Sequence, residues 1–187
     1  MDRNEAIELW RQWNAEDSLW RHALSVEAAM RHFASISGED VEFWGIVGLL
    51  HDIDYGKFPS EHLKHAGRIL RDAGYSEELV HAVLSHGWGL CSDVEPVHRM
   101  EKILYAVDEL TGFIAACAYV RPSRSVLDME VKSVKKKWSS AAFAAGVDRS
   151  VIEKGAQMLG IGLDDLIGET ILALRKIAGD IGLKGNL

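Results

Sequence analysis

Cysteine and proline are nearly missing from this chain, with two of the one and three of the other among 187 residues. Cys91 and Cys117 have no CxxC spacing and belong to a chain too large to depend on a disulfide, so they read as reduced thiols. Sparse proline and the want of any low-complexity run leave no internal stretch that reads as disordered. No apolar run approaches the roughly 18 residues of a membrane span, and the start, MDRNEAIELW, carries acids where a signal peptide would carry an apolar stretch. A cytoplasmic protein without a membrane partner is expected. Cations are in deficit, 21 Lys and Arg against 28 Asp and Glu, for a net charge of -7. Nucleic-acid polymer is therefore a poor partner, because binding it relies on clustered Lys and Arg to release counterions. A small anionic substrate stays open, since a local site can oppose the net sign.

What the chain does have is a recurrence of apolar residues at spacings of three and four, with no sustained period-two alternation of β-branched residues. The pattern predicts an all-α fold in one domain over 1–180, with a frayed tail at 181–187. Asn4 is the expected cap of a first helix carrying Ile7, Trp10 and Trp13. A second is predicted over 17–37 with Leu19, Val26, Met30 and Phe33 on one face and Gly38 as its stop. DVEFWGIVGLLHD, capped by Asp40, is apolar almost all round and therefore central. Ser60 and Ser76 are expected to cap EHLKHAGRILRDAG and EELVHAVLSHG, each ending at a glycine. Pro96 suits the first turn of a long helix over about 95–120 that stops before Pro122. SVLDMEVKSVKKKW, SSAAFAAG, DRSVIEKGAQMLG and LDDLIGETILALRKIAG follow as further helices.

Helical phase then sorts the chain's eight histidines. His22 follows Leu19 by three residues and precedes Val26 by four, so it points with the core stripe. His51 is four residues past Val47, and Asp52 lies about 100° further round the helix. His86 is three past Val83, and Asp108 is four past Leu104. One inward histidine is usually a satisfied core residue. Three imidazoles with two inward carboxylates are different, because an isolated buried carboxylate is costly and must be paired or bound to metal. Imidazole and carboxylate together suit Zn, Fe, Ni, Mn or Co, with Mg also open. His32, His81 and His98 fall off the stripes and read as surface residues. Trp88, beside His86, is a candidate pocket wall, though most tryptophans are simply packing.

The order His22, His51-Asp52, Asp108, with LLHDID on a buried helix and AVDELTG downstream, resembles the H…HD…D pattern of the HD-domain superfamily of metal-dependent phosphohydrolases. GYSEELVHAVLSHGW, YAVDELTGFIAACAYVRP, VKSVKKKW and FAAGVDR extend the likeness to its single-domain bacterial members. The resemblance implies a bundle of about 8–10 helices around a buried metal site, with His22, His51, Asp52 and Asp108 as ligands. It also implies a metal-activated water that attacks a small phosphoester, a nucleotide or phosphomonoester. Members with two metals add two histidines between the HD pair and the last Asp. His86 fits the second, and His62 or His65, both before Gly67, is open for the first. One departure concerns HDIG-type members, which have Gly where this chain has Asp54 and, in the HDIGK variant, Lys where it has Tyr55; Lys57 is the candidate replacement. Asp54 and Glu109 are candidates for the proton-accepting carboxylate, with Asp52 as ligand and base together the alternative. Lys57, Lys135 and Lys136 are candidate phosphate binders, though a basic helix face is usually just solvated. Two other readings stay open, an HD-fold diiron oxygenase of a small molecule and a non-catalytic helical scaffold.

Overall fold

Residues 1–187 are described by a computed structural model, which has nine α-helices, one short 3-10 turn at Pro59–Glu61 and no β-strand. The helices are α1 (Arg3–Trp13), α2 (Asp17–Ser37), α3 (Val41–Leu50), α4 (Ala66–Asp72), α5 (Glu77–Ser85), α6 (Arg99–Tyr119), α7 (Val131–Trp138), α8 (Arg149–Leu159) and α9 (Leu163–Lys176). The all-α expectation and its helix number hold.

Five of the nine α-helices start at a side-chain cap, and two of these caps correct expected boundaries. Asp2, rather than Asn4, caps α1, in a box where its carboxylate accepts the Asn4 and Glu5 N–H groups and Glu5 accepts the Asp2 N–H. The long helix begins at Arg99, after a box formed by His98 and Glu101, so Pro96 lies outside it rather than in its first turn. Asp40 caps α3 and Ser76 caps α5 as expected. Gly38 ends α2 in the left-handed conformation at φ 72°.

The segment read as one helix after Ser60 is a 3-10 turn, a reversal and then the short α4. Leu63 sits at φ 66°, which no helix accommodates, while its side chain is buried. In SVLDMEVKSVKKKW only Val131–Trp138 is helical, and SSAAFAAG forms turns. The expected frayed tail is anchored instead: Ile181 and Leu183 are buried, Val126 N–H donates to Leu183 O at 2.9 Å, and Asn186 N–H donates to Ser123 O at 2.9 Å.

Packing places the site. α3 lies along α2 so closely that a Cβ on Gly48 would meet Val26 O at 2.9 Å and Glu27 Cα at 3.0 Å. α6 runs through the core against α2, α5, α7, α8 and α9. The C-terminal ends of α3 and α5 therefore converge on the first third of α2 and the middle of α6. No helix is long and apolar enough to cross a membrane.

Candidate metal centre

His51 and His86 occupy the same local position, the residue that closes a helix, α3 in one case and α5 in the other. Carbonyls of a last helical turn lack intrahelical donors. Each ring supplies one. His51 Nδ1–H donates to Gly48 O at 2.7 Å and His86 Nδ1–H to Val83 O at 2.6 Å. A carbonyl can only accept, so Nδ1 carries the proton and Nε2 faces the centre. His62 reaches the same state through Asp54, which accepts from its Nδ1 at 3.0 Å. Second partners of this kind fix the ring orientation and tautomer of metal-binding histidines.

The converging atoms form two groups that share Asp52. On one side, His22 Nε2 stands 2.9 Å from Asp108 Oδ1 and 3.2 Å from His51 Nε2, and Asp52 Oδ2 lies 3.3 Å from His51 Nε2. On the other, Asp52 Oδ1 lies 3.2 Å from His62 Nε2 and 3.5 Å from His86 Nε2, and those two nitrogens are 3.2 Å apart. Since both rings donate through Nδ1, neutral His62 and His86 would direct Nε2 lone pairs at each other. Only a proton or a metal cation between them makes that contact favourable. The donor set thus fits divalent cations, and His22, His51 and Asp108, or His51, Asp52 and His86, could each hold one.

Electrostatics point the same way. Burial alone would pull the His51 ring down, but the Asp52 and Asp108 carboxylates outweigh it and hold the ring well above the ordinary histidine range. Burial likewise opposes ionisation of Asp52 and Asp108, and the surrounding imidazoles hold both well below the usual carboxylate range. The cluster seeks positive charge. Burial, then the adjoining Asp108 charge, pushes the Glu109 carboxyl up to about 7. Glu109 lines the same cavity, of about 330 Å³, and accepts the Asp148 N–H at 3.1 Å.

The other candidates separate clearly. His62 enters the cluster and His65 does not: its ring stacks on Phe58 at 4.0 Å and its Nε2 pairs with Glu61. Asp54 is fully buried away from the cavity and accepts the Leu63, His65 and Ala66 N–H groups besides His62. These bonds, against the cost of burial, hold its carboxyl below the usual range and make it the organiser of the 62–66 reversal rather than a base facing substrate. Lys57 lies over the Trp13 ring at 4.3 Å, Lys135 pairs with Asp164 at 2.8 Å, and Lys136 is exposed; none lines the cavity. Trp88 does not wall it either, being covered by the Lys154 ammonium at 3.5 Å from its ring centre. His98 is exposed and His81 half-buried, whereas His32, expected at the surface, is buried between Glu169 and Lys176. Tyr55, Leu90 and Cys91 line the cavity without having been anticipated, because they sit in turns where helical phase carries no information.

Imidazoles and carboxylates drawn together by packed helices and the loop after α3 define an α-helical protein with side chains that could hold a divalent metal. The HD domain family model matches residues 19–112, half of the chain, and the chain belongs to the HD domain family, whose members are mostly metal-dependent phosphohydrolases. No curated protein and no solved structure matches it.

Proposed function

We propose that the protein is a metal-dependent phosphohydrolase acting on a small phosphoester. One observation carries this reading, the convergence of four imidazole Nε2 atoms and two carboxylates, with the His51, His62 and His86 rings oriented by hydrogen bonds from Nδ1. His22, His51, Asp52 and Asp108 are the residues that would hold one ion, and His62, His86 and Asp52 those that would hold a second. Zn, Fe, Ni, Mn, Co or Mg bound there would lower the pKa of water toward about 7 and draw charge from a phosphoryl oxygen.

The chain's own groups do the rest. Glu109, held near neutrality in its titration, is the proposed carboxyl that accepts a proton from water or returns one to the leaving group. Leu19, Leu90, Val147 and Val151 contribute apolar lining to the same cavity. No Lys or Arg lines the cavity, so phosphate charge is met by the metal end alone, which favours one phosphate over a chain of them. The proposed partner is accordingly a small phosphorylated molecule, a nucleotide or phosphomonoester.

The test is metal analysis of anaerobically purified protein combined with a screen of phosphomonoesters, nucleotides and cyclic dinucleotides. Two metals per chain with turnover of a monophosphate are expected. Absence of turnover with every divalent metal tried sinks the hydrolase reading. A diiron oxygenase is the second reading, favoured by the presence of both additional histidines, His62 and His86. It requires retained iron, and colourless protein that consumes no oxygen removes it.

A further inference from the structure

A cavity of about 690 Å³ lies away from the metal centre, in a space bounded by α2, α9, and the starts of α1 and α3. Its volume is that of small-molecule sites, and its lining is mixed, six apolar residues beside seven polar or charged ones. Trp20, Leu24, Val41 and Ile177 supply apolar wall. Of the charged groups, Glu27 is already doubly satisfied. Its carboxylate is almost completely buried, holding Arg3 at 2.6 and 2.9 Å and Arg31 at 2.8 Å. Arg31 in turn grips exposed Glu42 outside the lining.

Lys176 is different. No carboxylate pairs with it, and its ammonium donates to Nδ1 of buried His32 at 3.0 Å. That ring donates from Nε2 to Glu169 at 2.6 Å, so Nδ1 is a neutral acceptor that aims the ammonium without cancelling its charge. A lysine ammonium has three donors, and this one has two left over. Glu169 lies outside the lining, and Asp180, the remaining acid on it, is exposed and unpaired.

We propose that this cavity is a second ligand site, for a small monoanion with an apolar body, a carboxylate, whose head group pairs with Lys176 while its body lies against Trp20, Leu24 and Ile177. One cation without a carboxylate partner calls for one negative charge, and Arg3 and Arg31, already paired with Glu27 and Glu42, leave no second free cation for a more highly charged ligand. The proposal is independent of the chemistry at the metal centre.

The experiment titrates the full-length protein with 4-phenylbutyrate by calorimetry while the Trp20 indole N–H resonance is followed by NMR. Saturable binding of one molecule per chain with a shift of that resonance is expected. Lys176→Met and the uncharged probe 4-phenylbutanol should each bind at least about tenfold more weakly, about 1.4 kcal/mol. Asp180→Asn should tighten binding by removing the competing charge. Asp108→Ala should leave affinity unchanged. Lack of saturable binding, equal affinity of the alcohol or of Lys176→Met, or loss of binding in Asp108→Ala, which would place the probe at the metal centre, overturns the proposal.

Discussion

Asp54 carries the largest single hydrogen-bonding load near the site: three backbone N–H groups and an imidazole depend on one buried carboxylate. Its removal leaves buried donors without acceptors, each costing about 1–3 kcal/mol. Asp54→Ala is therefore expected to lower the unfolding free energy by about 3 kcal/mol and to release His62 from its orientation. Denaturant midpoints and metal stoichiometry check this. A stable variant with full metal content would show that the reversal is organised by something else. Asp108→Ala acts differently, because its side chain is partly exposed at the cavity and supports no backbone. It should abolish turnover while circular dichroism and the main-chain fold stay as they are. Retained phosphatase activity would remove Asp108 from the ligand set. A non-catalytic scaffold would keep its partner after the same substitution.

At the scale of elements, the position of the HD pair depends on how close α3 comes to α2. At Gly48 a Cβ would meet the α2 backbone, and the Gly48 carbonyl also receives the His51 ring proton. An added methyl meets backbone, which cannot rotate away, so Gly48→Ala is expected to cost about 1–3 kcal/mol by overpacking. It should also weaken metal binding, since the helix end that holds His51 and Asp52 is displaced. Gly38→Ala provides the contrast. Nothing lies within 4 Å of a Cβ there, and only the positive φ of 72° opposes it. That variant should lose about 1 kcal/mol without any change in metal content. Thermal unfolding and metal titration of the two proteins distinguish them, and equal metal affinity in both would mean that α3 spacing is not what sets the site.

For the whole molecule, the site ties together four separate parts of the chain: α2, the end of α3 with its following loop, the end of α5, and α6. A metal that binds only the folded state stabilises all of them by mass action, about 2.7 kcal/mol at a hundredfold excess over Kd. For a chain of this size that corresponds to roughly 5–10 °C in Tm. Chelation should lower Tm by that amount and added divalent metal should restore it, read by differential scanning calorimetry. A Tm indifferent to chelator would sever the link between metal and fold.

Sequence alone determined the helical class and most of the inward faces, His32 excepted, because apolar periodicity and capping residues act over a few neighbours. It thereby put His22, His51, Asp52, His86 and Asp108 on faces directed at one interior. Only tertiary structure decided between His62 and His65. The left-handed turn at Leu63 breaks the helical phase on which either choice would rest, and that turn exists because buried Asp54 gathers the surrounding N–H groups. Asp54 itself changed from candidate base to loop organiser for the same reason. Lys57 and Lys135 found Trp13 and Asp164 instead of a phosphate site. A charged side chain's partner is set by which distant segment passes near it, and that information resides in the packing of helices rather than in any local run of residues.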